Sequence, residues 1–387
     1  MHGQIVLTPL ARTSPTLWSH MRLCSLRGAF ASSRAVDRWV LHDPRAWLGT
    51  AFHKVMEASR RPSATAATLE EAWSAAVREA AVAAAHHLLD ARFAAPERWP
   101  GYFLVRQRAL SSAQDVIAAK VGGARPSTPR REGASATEHG LQARGGRLAG
   151  RPDRFDGSIL TEYKSSMPDP AWRGAEAVLE GFRRQLRLYA AIIAEAMGRW
   201  PTQGRIVAAS GQTMEVPLVP ADCDAEASAA LAALDDLNLG LAGCAALETL
   251  ARPGEASCSG CPFQALCPAF WPWLEAAGSS GLRDTAAAGV LDRIELGQDG
   301  DLYTAYLNVH QPSMPSGIQP LVLRRTIHGD LTVSPPNAHW RIISARLKQD
   351  GRLRADPSTC VFALDDLPSV VTEDVSASSN PDPSLGG

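Results

Sequence analysis

Asp153, Glu162 and Lys164 fall within the run Gly150-Arg-Pro-Asp-Arg-Phe-Asp-Gly-Ser-Ile-Leu-Thr-Glu-Tyr-Lys164. Asp156-Gly157 is the type of dipeptide that closes a two-residue hairpin turn. That turn sets Phe155 opposite Ser158 and Asp153 opposite Leu160. Strand side chains alternate, so Asp153, Glu162 and Lys164 share one face while Thr161 and Tyr163 take the other. Diagonal cross-strand neighbours lie about 7–8 Å apart, a gap that a divalent cation bridges. A bulge in the turn would reverse this parity.

Two carboxylates and a lysine in that arrangement suit phosphodiester hydrolysis. Hard oxygen ligands select Mg²⁺ or Mn²⁺, and such an ion polarises a phosphoryl oxygen and acidifies bound water. The lysine can orient or deprotonate that water. An ordinary amphipathic hairpin with a surface Glu/Lys alternation fits the same three residues.

A second cluster is Cys258-Ser-Gly-Cys261-Pro-Phe-Gln-Ala-Leu-Cys267, a C-x2-C-x5-C run, with Cys24 alone near the N-terminus. Four thiolates can hold an iron–sulfur cluster or a structural zinc. The five-residue gap fits neither a zinc ribbon nor the ferredoxin spacings, so the residues alone leave the metal open. Cys223, Cys244 and Cys360 have no such company and read as buried, inert thiols.

Taken together, these motifs resemble the PD-(D/E)XK nucleases of the RecB type. The resemblance is to the branch whose nuclease domain carries a [4Fe-4S] cluster, as in AddB-type subunits and the CRISPR-adaptation exonucleases. Gly49-Thr-Ala-Phe-His53 matches its G-x3-H helix motif, Gly150-Arg-Pro-Asp153 its G-x-x-D strand, and Glu162-Tyr-Lys164 its E-x-K strand. Gln185-Leu-Arg-Leu-Tyr189 matches the Q-x3-Y helix, and the four cysteines follow the family's order and spacing. The resemblance covers about residues 14–275 and shows no departure at a catalytic position. It implies that Cys24, Cys258, Cys261 and Cys267 hold [4Fe-4S]. It further implies that His53, Asp153, Glu162 and the Tyr163 carbonyl hold Mg²⁺ or Mn²⁺, and that Lys164, Gln185 and Tyr189 serve the reaction.

Several elements must position these groups. Ser14-Pro15 opens a helix with a serine cap and a first-turn proline, and that helix carries Cys24. Helices are predicted over 46–60, bearing His53, over the alanine-rich 66–93, and over 102–120. His86 and His87 read there as surface or packing residues. A breaker-rich loop over 122–133 carries Arg125, Arg130 and Arg131. Strands at about 135–143, 146–155 and 158–165 precede a helix over 171–199, in which Gln185 and Tyr189 are i,i+4 neighbours. Strands at 205–209 and 213–219 and a helix over 222–250 lead to the cysteine run. Arg147, Arg151 and Arg184, with Arg144, Arg154, Arg173, Arg183 and Arg187, gather near the carboxylates in sequence, as a phosphate-tracking groove requires. A solvated basic face is the plainer reading of the helix arginines.

Past the cysteines the pattern changes to about five short apolar or alternating runs separated by Gly/Asp/Pro turns, the signature of a small barrel. It looks like an OB-fold, which often binds single strands by aromatic stacking and a basic groove. Tyr306 and Trp340, with Tyr303, Arg324, Arg325 and Arg341, are the candidates, and a structural or partner-docking barrel is the alternative.

The chain has 387 residues, enough for two cores, and a formal charge of −1, so any nucleic-acid surface must be local. Seven cysteines without a secretory signal fit a reducing cytoplasm. No apolar run approaches a membrane span, and no G-x4-G-K-[ST] loop marks a motor. The expected architecture is an α/β restriction-endonuclease-like core, a mixed sheet flanked by helices, over 1–281. An all-β OB-like barrel follows over 282–370, and a disordered tail over 371–387. The expected activity is a metal-dependent DNA exonuclease acting on single strands or DNA ends, in repair, recombination or phage defence, with a helicase as partner. A structure-specific endonuclease, or a non-cleaving DNA-binding subunit of a helicase–nuclease complex, are the alternatives.

Overall fold

The computed structural model describes residues 3–121, 140–164, 166–171, 174–243, 246–277, 282, 285–309, 317–335, 337–350 and 352–372. Arg125, Arg130, Arg131, Arg173, Cys244 and the tail from residue 373 lie outside the described residues.

The chain begins with β1 (Gln4–Leu7), α1 (Pro15–Leu23), α2 (Ser25–Ser32), α3 (Arg34–Asp37), α4 (Pro44–Ala58), α5 (Ala66–His86) and α6 (Tyr102–Val121). Next come β2 (Leu141–Ala143), β3 (Leu148–Gly150), β4 (Arg154–Phe155), β5 (Ile159–Lys164), α7 (Ala175–Met197), β6 (Gln203–Ala208) and β7 (Thr213–Pro217). Helices α8 (Pro220–Ala242), α9 (Glu255–Cys258) and α10 (Phe270–Ala277) lead to β8 (Thr285–Leu296), β9 (Leu302–Val309) and β10 (Gly317–Arg324). The chain closes with α11 (Arg325–His328), β11 (His339–Leu347), β12 (Leu353–Arg354), β13 (Cys360–Ala363) and β14 (Ser369–Thr372). Among the described residues, no helix is long and apolar enough to cross a membrane.

Two compact units share these elements. The first comprises Ala11–Ser19 and His42–Ala232. Its sheet runs β4-β5-β6-β7, with β5 and β6 parallel and the outer pairs antiparallel. A parallel pair needs a crossover, and α7 supplies it. Local sequence explains the flanking helices. Asp43 caps α4 by accepting the Arg45 N–H at 2.9 Å, with Pro44 at the first helical position. Thr65 and Thr68 cap α5 reciprocally. α7 stops at Gly198, whose φ of +65° suits a left-handed helix end.

One face of α4 presents Leu48, Phe52, Val55 and Met56 to Leu69, Trp73 and Val77 of α5 and to Ala109 and Ala113 of α6. Tyr163 on β5 joins this core, so the helix layer is anchored to that strand. Phe52 is 1% exposed, and Phe52→Ala would cost about 3–5 kcal/mol and loosen that anchor.

The second unit comprises Met1–Leu10, His20–Leu41 and Ala233–Gly387. Strands β8, β9 and β10 form a meander, β11 returns to pair with β8, and β12 and β13 both pair with β11. β12 approaches β10, giving the nearly closed antiparallel barrel that the strand-and-turn spacing suggested. Two register shifts bend it, at Leu291/Arg293 and Ile342/Ala345, and Ser344 takes a φ of +57° within the second. The barrel core includes Leu291, Tyr303, Leu307, Leu321, Leu323, Trp340 and Ile342. The cysteine segment packs in this same unit: Arg341 donates to the Ala265 carbonyl at 2.8 Å and covers the Trp271 ring. β1 adds to β14 as a parallel pair.

Candidate active site

The hairpin that carries the carboxylates differs from the expected one by two residues. Phe155 pairs with Leu160 and Arg154 with Thr161, in place of Phe155 with Ser158. The Asp156 carboxylate accepts the Ile159 N–H at 3.1 Å, and Gly157 turns the chain at φ +95°, which makes a wider loop. A two-residue slip preserves side-chain parity. Extending the register brings Asp153 level with Glu162, directly across instead of diagonal.

Asp153 is fixed from two sides. Its Oδ1 lies 3.0 Å from His53 Nδ1 on α4, and its Oδ2 accepts the Tyr163 N–H at 2.7 Å. Glu162 Oε1 accepts from Lys164 Nζ at 3.0 Å and from Gln185 Nε2 at 2.9 Å. Gln185 Oε1 accepts Lys164 Nζ in turn, at 2.8 Å, which closes a three-residue ring of hydrogen bonds. Tyr189 bonds the Gln185 side chain and the Arg151 backbone. Gly150 lies against the Tyr189 ring: a Cβ there would stand 2.8 Å from Cε1. The G-x-x-D glycine is thus a close-approach residue.

Electrostatics separate the two acids. Burial raises the Asp153 pKa, but His53, the Tyr163 N–H and Lys164 outweigh it, and the net direction is down. Burial dominates at Glu162: Lys164 opposes it, Asp153 adds to it, and the carboxyl is pushed up to about 7. Burial works against charge on His53, yet Asp153 and Glu162 prevail and raise its pKa. Among the described residues, Glu162 Oε2 is buried and accepts no hydrogen bond. An orphaned carboxylate oxygen beside a second carboxylate is what a divalent cation would satisfy. The donor set fits such an ion.

These groups line a cleft of about 730 Å³ with Arg45, Gly49, Lys54, Arg60, Arg151 and Gln185. Of the arginines expected near the carboxylates, Arg151 lines it. Arg184 is instead held by Glu226, at 3.1 Å, and by Glu180, at 3.3 Å. Arg183 and Arg187 also pair with Glu180, Arg144 with Glu195 and Asp224, and Arg154 with Asp156. Arg147 lends its carbonyl to the Thr13 N–H and does not line the cleft. Sequence reasoning missed Arg45 and Arg60. Arg60 donates to the Tyr163 hydroxyl at 2.6 Å and to the Asp153 carbonyl at 3.3 Å. Arg45, Gly49 and His53 follow an i, i+4, i+8 spacing that places them on one helix face, and that signal could have found Arg45.

In the barrel, Trp340 and Tyr303 are each 1% exposed. Their rings belong to the core, so neither can stack on a base. Tyr306 is half-buried, hydrogen-bonded to Glu295 at 2.8 Å and covered by Arg293. Arg324 and Arg325 pair with Asp301 and Asp330.

The four cysteines converge. Cys24, Cys258, Cys261 and Cys267 line one cavity with Leu26, Arg27, Phe30 and Phe263. Backbone N–H groups of Arg252 and Gly254 point at Cys24 Sγ and Cys258 Sγ, at 3.4 and 3.5 Å. Burial pushes the Cys261 thiol up to about 11 and that of Cys267 up to about 12. A bound metal would reverse this, because coordination deprotonates a thiol.

With the hairpin, helix and cleft in place, comparison with family models matches residues 12–268 to the PD-(D/E)XK nuclease superfamily. The chain belongs to this superfamily, whose members are generally metal-dependent phosphodiesterases. A search of curated proteins finds no match.

Proposed function

We propose that the chain is a Mg²⁺- or Mn²⁺-dependent deoxyribonuclease, an exonuclease that acts on single strands or DNA ends. The observation that carries this reading is the divided Glu162 carboxylate. One oxygen is engaged by Lys164 and Gln185, and the other is buried beside Asp153 with no hydrogen-bond partner among the described residues. Asp153, Glu162, His53 and the Tyr163 carbonyl would hold the ion, which when bound polarises a phosphoryl oxygen and lowers the pKa of water. Lys164 orients the attacking water and takes or shares its proton at Nζ. Gln185 holds that amino group in place: with its two hydrogens donated to Glu162 and Gln185, the neutral amine keeps its lone pair for the proton, and Tyr189 buttresses Gln185. Arg45, Arg60 and Arg151 supply positive charge along the cleft for the phosphates flanking the scissile bond.

The cysteine site is proposed to hold [4Fe-4S], as the resemblance implies. The cluster's role is structural: it ties Cys24 to a segment beyond residue 257 and so closes a very long loop. A cytoplasmic setting, which keeps these thiols reduced, follows from that role. A helicase partner and a place in repair, recombination or phage defence belong to the same reading. Of the barrel aromatics named as single-strand contacts, Tyr306 is proposed for the role, because Tyr303 and Trp340 are core residues.

Anaerobically purified chain, incubated with Mn²⁺ and end-labelled single- and double-stranded DNA, should release terminal nucleotides. Internal cuts would point to an endonuclease, and a mobility shift without cleavage would reject the enzyme reading.

A further inference from the structure

We propose a second metal site, for Zn²⁺ or a similar first-row transition ion, formed by His42, His87 and Asp90. His42 comes from the segment before α4, and His87 and Asp90 from the turn that follows α5. His42 immediately precedes Asp43, the cap of α4; His87 caps the C-terminus of α5; Asp90 opens the short 3₁₀ turn that follows. Sequence reasoning had assigned His87 to the surface or to packing. Its ring packs 5.2 Å from that of His42, edge to face.

The ligand atoms converge on one carboxylate oxygen. Asp90 Oδ2 lies 2.7 Å from His42 Nδ1 and 3.1 Å from His87 Nδ1, and all three atoms fall within 4.8 Å of one another. Zinc–ligand bonds of about 2.0–2.1 Å place neighbouring donors about 3.3 Å apart in a tetrahedron, so a small adjustment accommodates an ion. The other oxygen, Oδ1, accepts the His42 backbone N–H at 2.9 Å, which turns Oδ2 towards both rings. Such outer hydrogen bonds are how proteins orient a ligating carboxylate.

Charge gives a separate reason. The Asp90 side chain is 4% exposed, and among the described residues its ion-pair partners are the two imidazoles, which carry no obligatory charge. A buried carboxylate calls for compensation, and a divalent cation supplies it. Two nitrogen donors select zinc-like ions over Mg²⁺, so this site and the proposed nuclease centre sort different metals. The His42 side chain is 34% exposed, which leaves room for water in the fourth position and a route in for the ion. Bound metal would pin the start of α4, the helix that carries His53, to the end of α5.

The test compares zinc content of the full chain with that of His87→Gln and Asp90→Asn. All three proteins are purified identically, with Mg²⁺ in excess to occupy the carboxylate centre, and dialysed against equal free Zn²⁺. The wild type should hold one more zinc per chain than either variant, and Zn²⁺ should raise its Tm while leaving theirs unchanged. Equal zinc content in all three would overturn the site and leave a hydrogen-bonded cluster. Should both variants misfold, X-ray absorption of the wild-type zinc decides. Imidazole and oxygen scattering supports the site, and sulfur-only coordination or no bound zinc rejects it.

Discussion

Lys164 Nζ lies 3.0 Å from Glu162 Oε1, two side chains leaving the same face of β5 two residues apart. The contact occupies one Glu162 oxygen and leaves the other for a cation. Strand alternation produces this pairing from an E-x-K spacing. What the sequence spacing does not contain is the third member, Gln185, which arrives from α7 and bonds both partners.

Gln185 should therefore act as a positioning residue. Gln185→Ala leaves Lys164 tethered at one point, and misplacement of a catalytic group by about 1 Å can cost 100-fold. We expect kcat on DNA to fall about 10- to 100-fold while Mn²⁺ affinity changes little. An unaltered kcat would remove Gln185 from the mechanism.

Replacing Cys24, Cys258, Cys261 or Cys267 by serine should bleach the broad visible absorbance of the anaerobically purified protein and lower its solubility. Cys223→Ser and Cys360→Ser should leave the colour unchanged, since both thiols are buried apart from the cluster. Colourless wild type with one tightly bound zinc on four sulfurs would favour the zinc alternative.

The barrel offers a contrast between two aromatics. Trp340→Ala empties a core position and should cost about 3–5 kcal/mol of stability. Tyr306→Ala should leave the fold intact and weaken single-strand binding by about 1–3 kcal/mol, the worth of one stacked base. Equal DNA affinity of wild type and Tyr306→Ala across a salt series would leave the barrel without its stacking residue.

Sequence legibility followed the range of the interactions. Helix α4 was readable because Asp43-Pro44 and the apolar spacing from Leu48 to Met56 are local signals. Asp153, Glu162 and Lys164 shared a face in both readings because a two-residue register slip leaves parity intact, although the turn itself was misjudged. Arg184 was readable only in part: Glu180 sits four residues before it on α7, a local helix pairing, whereas Glu226 lies 42 residues away on α8 and no local pattern reports it. Trp340 alternates with polar neighbours like any barrel strand residue, and which face closes inward is decided by pairing with β8 and β13.

His20 supplies a pH dependence. Arg27 Nε donates to its Nδ1 at 3.0 Å, and burial, then the Arg27 charge, push its pKa down to about 4. The unfolded chain binds this proton near the ordinary value of about 6.5. Stability from this group is therefore full above pH 6.5 and declines as the pH falls towards 4. Between pH 7 and 5 the loss is at most about 2 kcal/mol, trimmed by the ring's partial exposure. His20→Gln should reduce the shift in urea midpoint between those two pH values, and identical shifts in both proteins would contradict the assignment.

The most direct measurement pairs Mn²⁺ binding with single-turnover cleavage of end-labelled DNA in wild type, Asp153→Ala and Lys164→Ala. Asp153→Ala should lose both metal affinity and cleavage. Lys164→Ala should keep its Mn²⁺ affinity and its fold, and cleave about 100- to 10,000-fold more slowly, the range for loss of a proton-transferring group. Wild-type rates in either variant, or a folded wild type that cleaves no DNA with Mn²⁺ bound, would contradict the account.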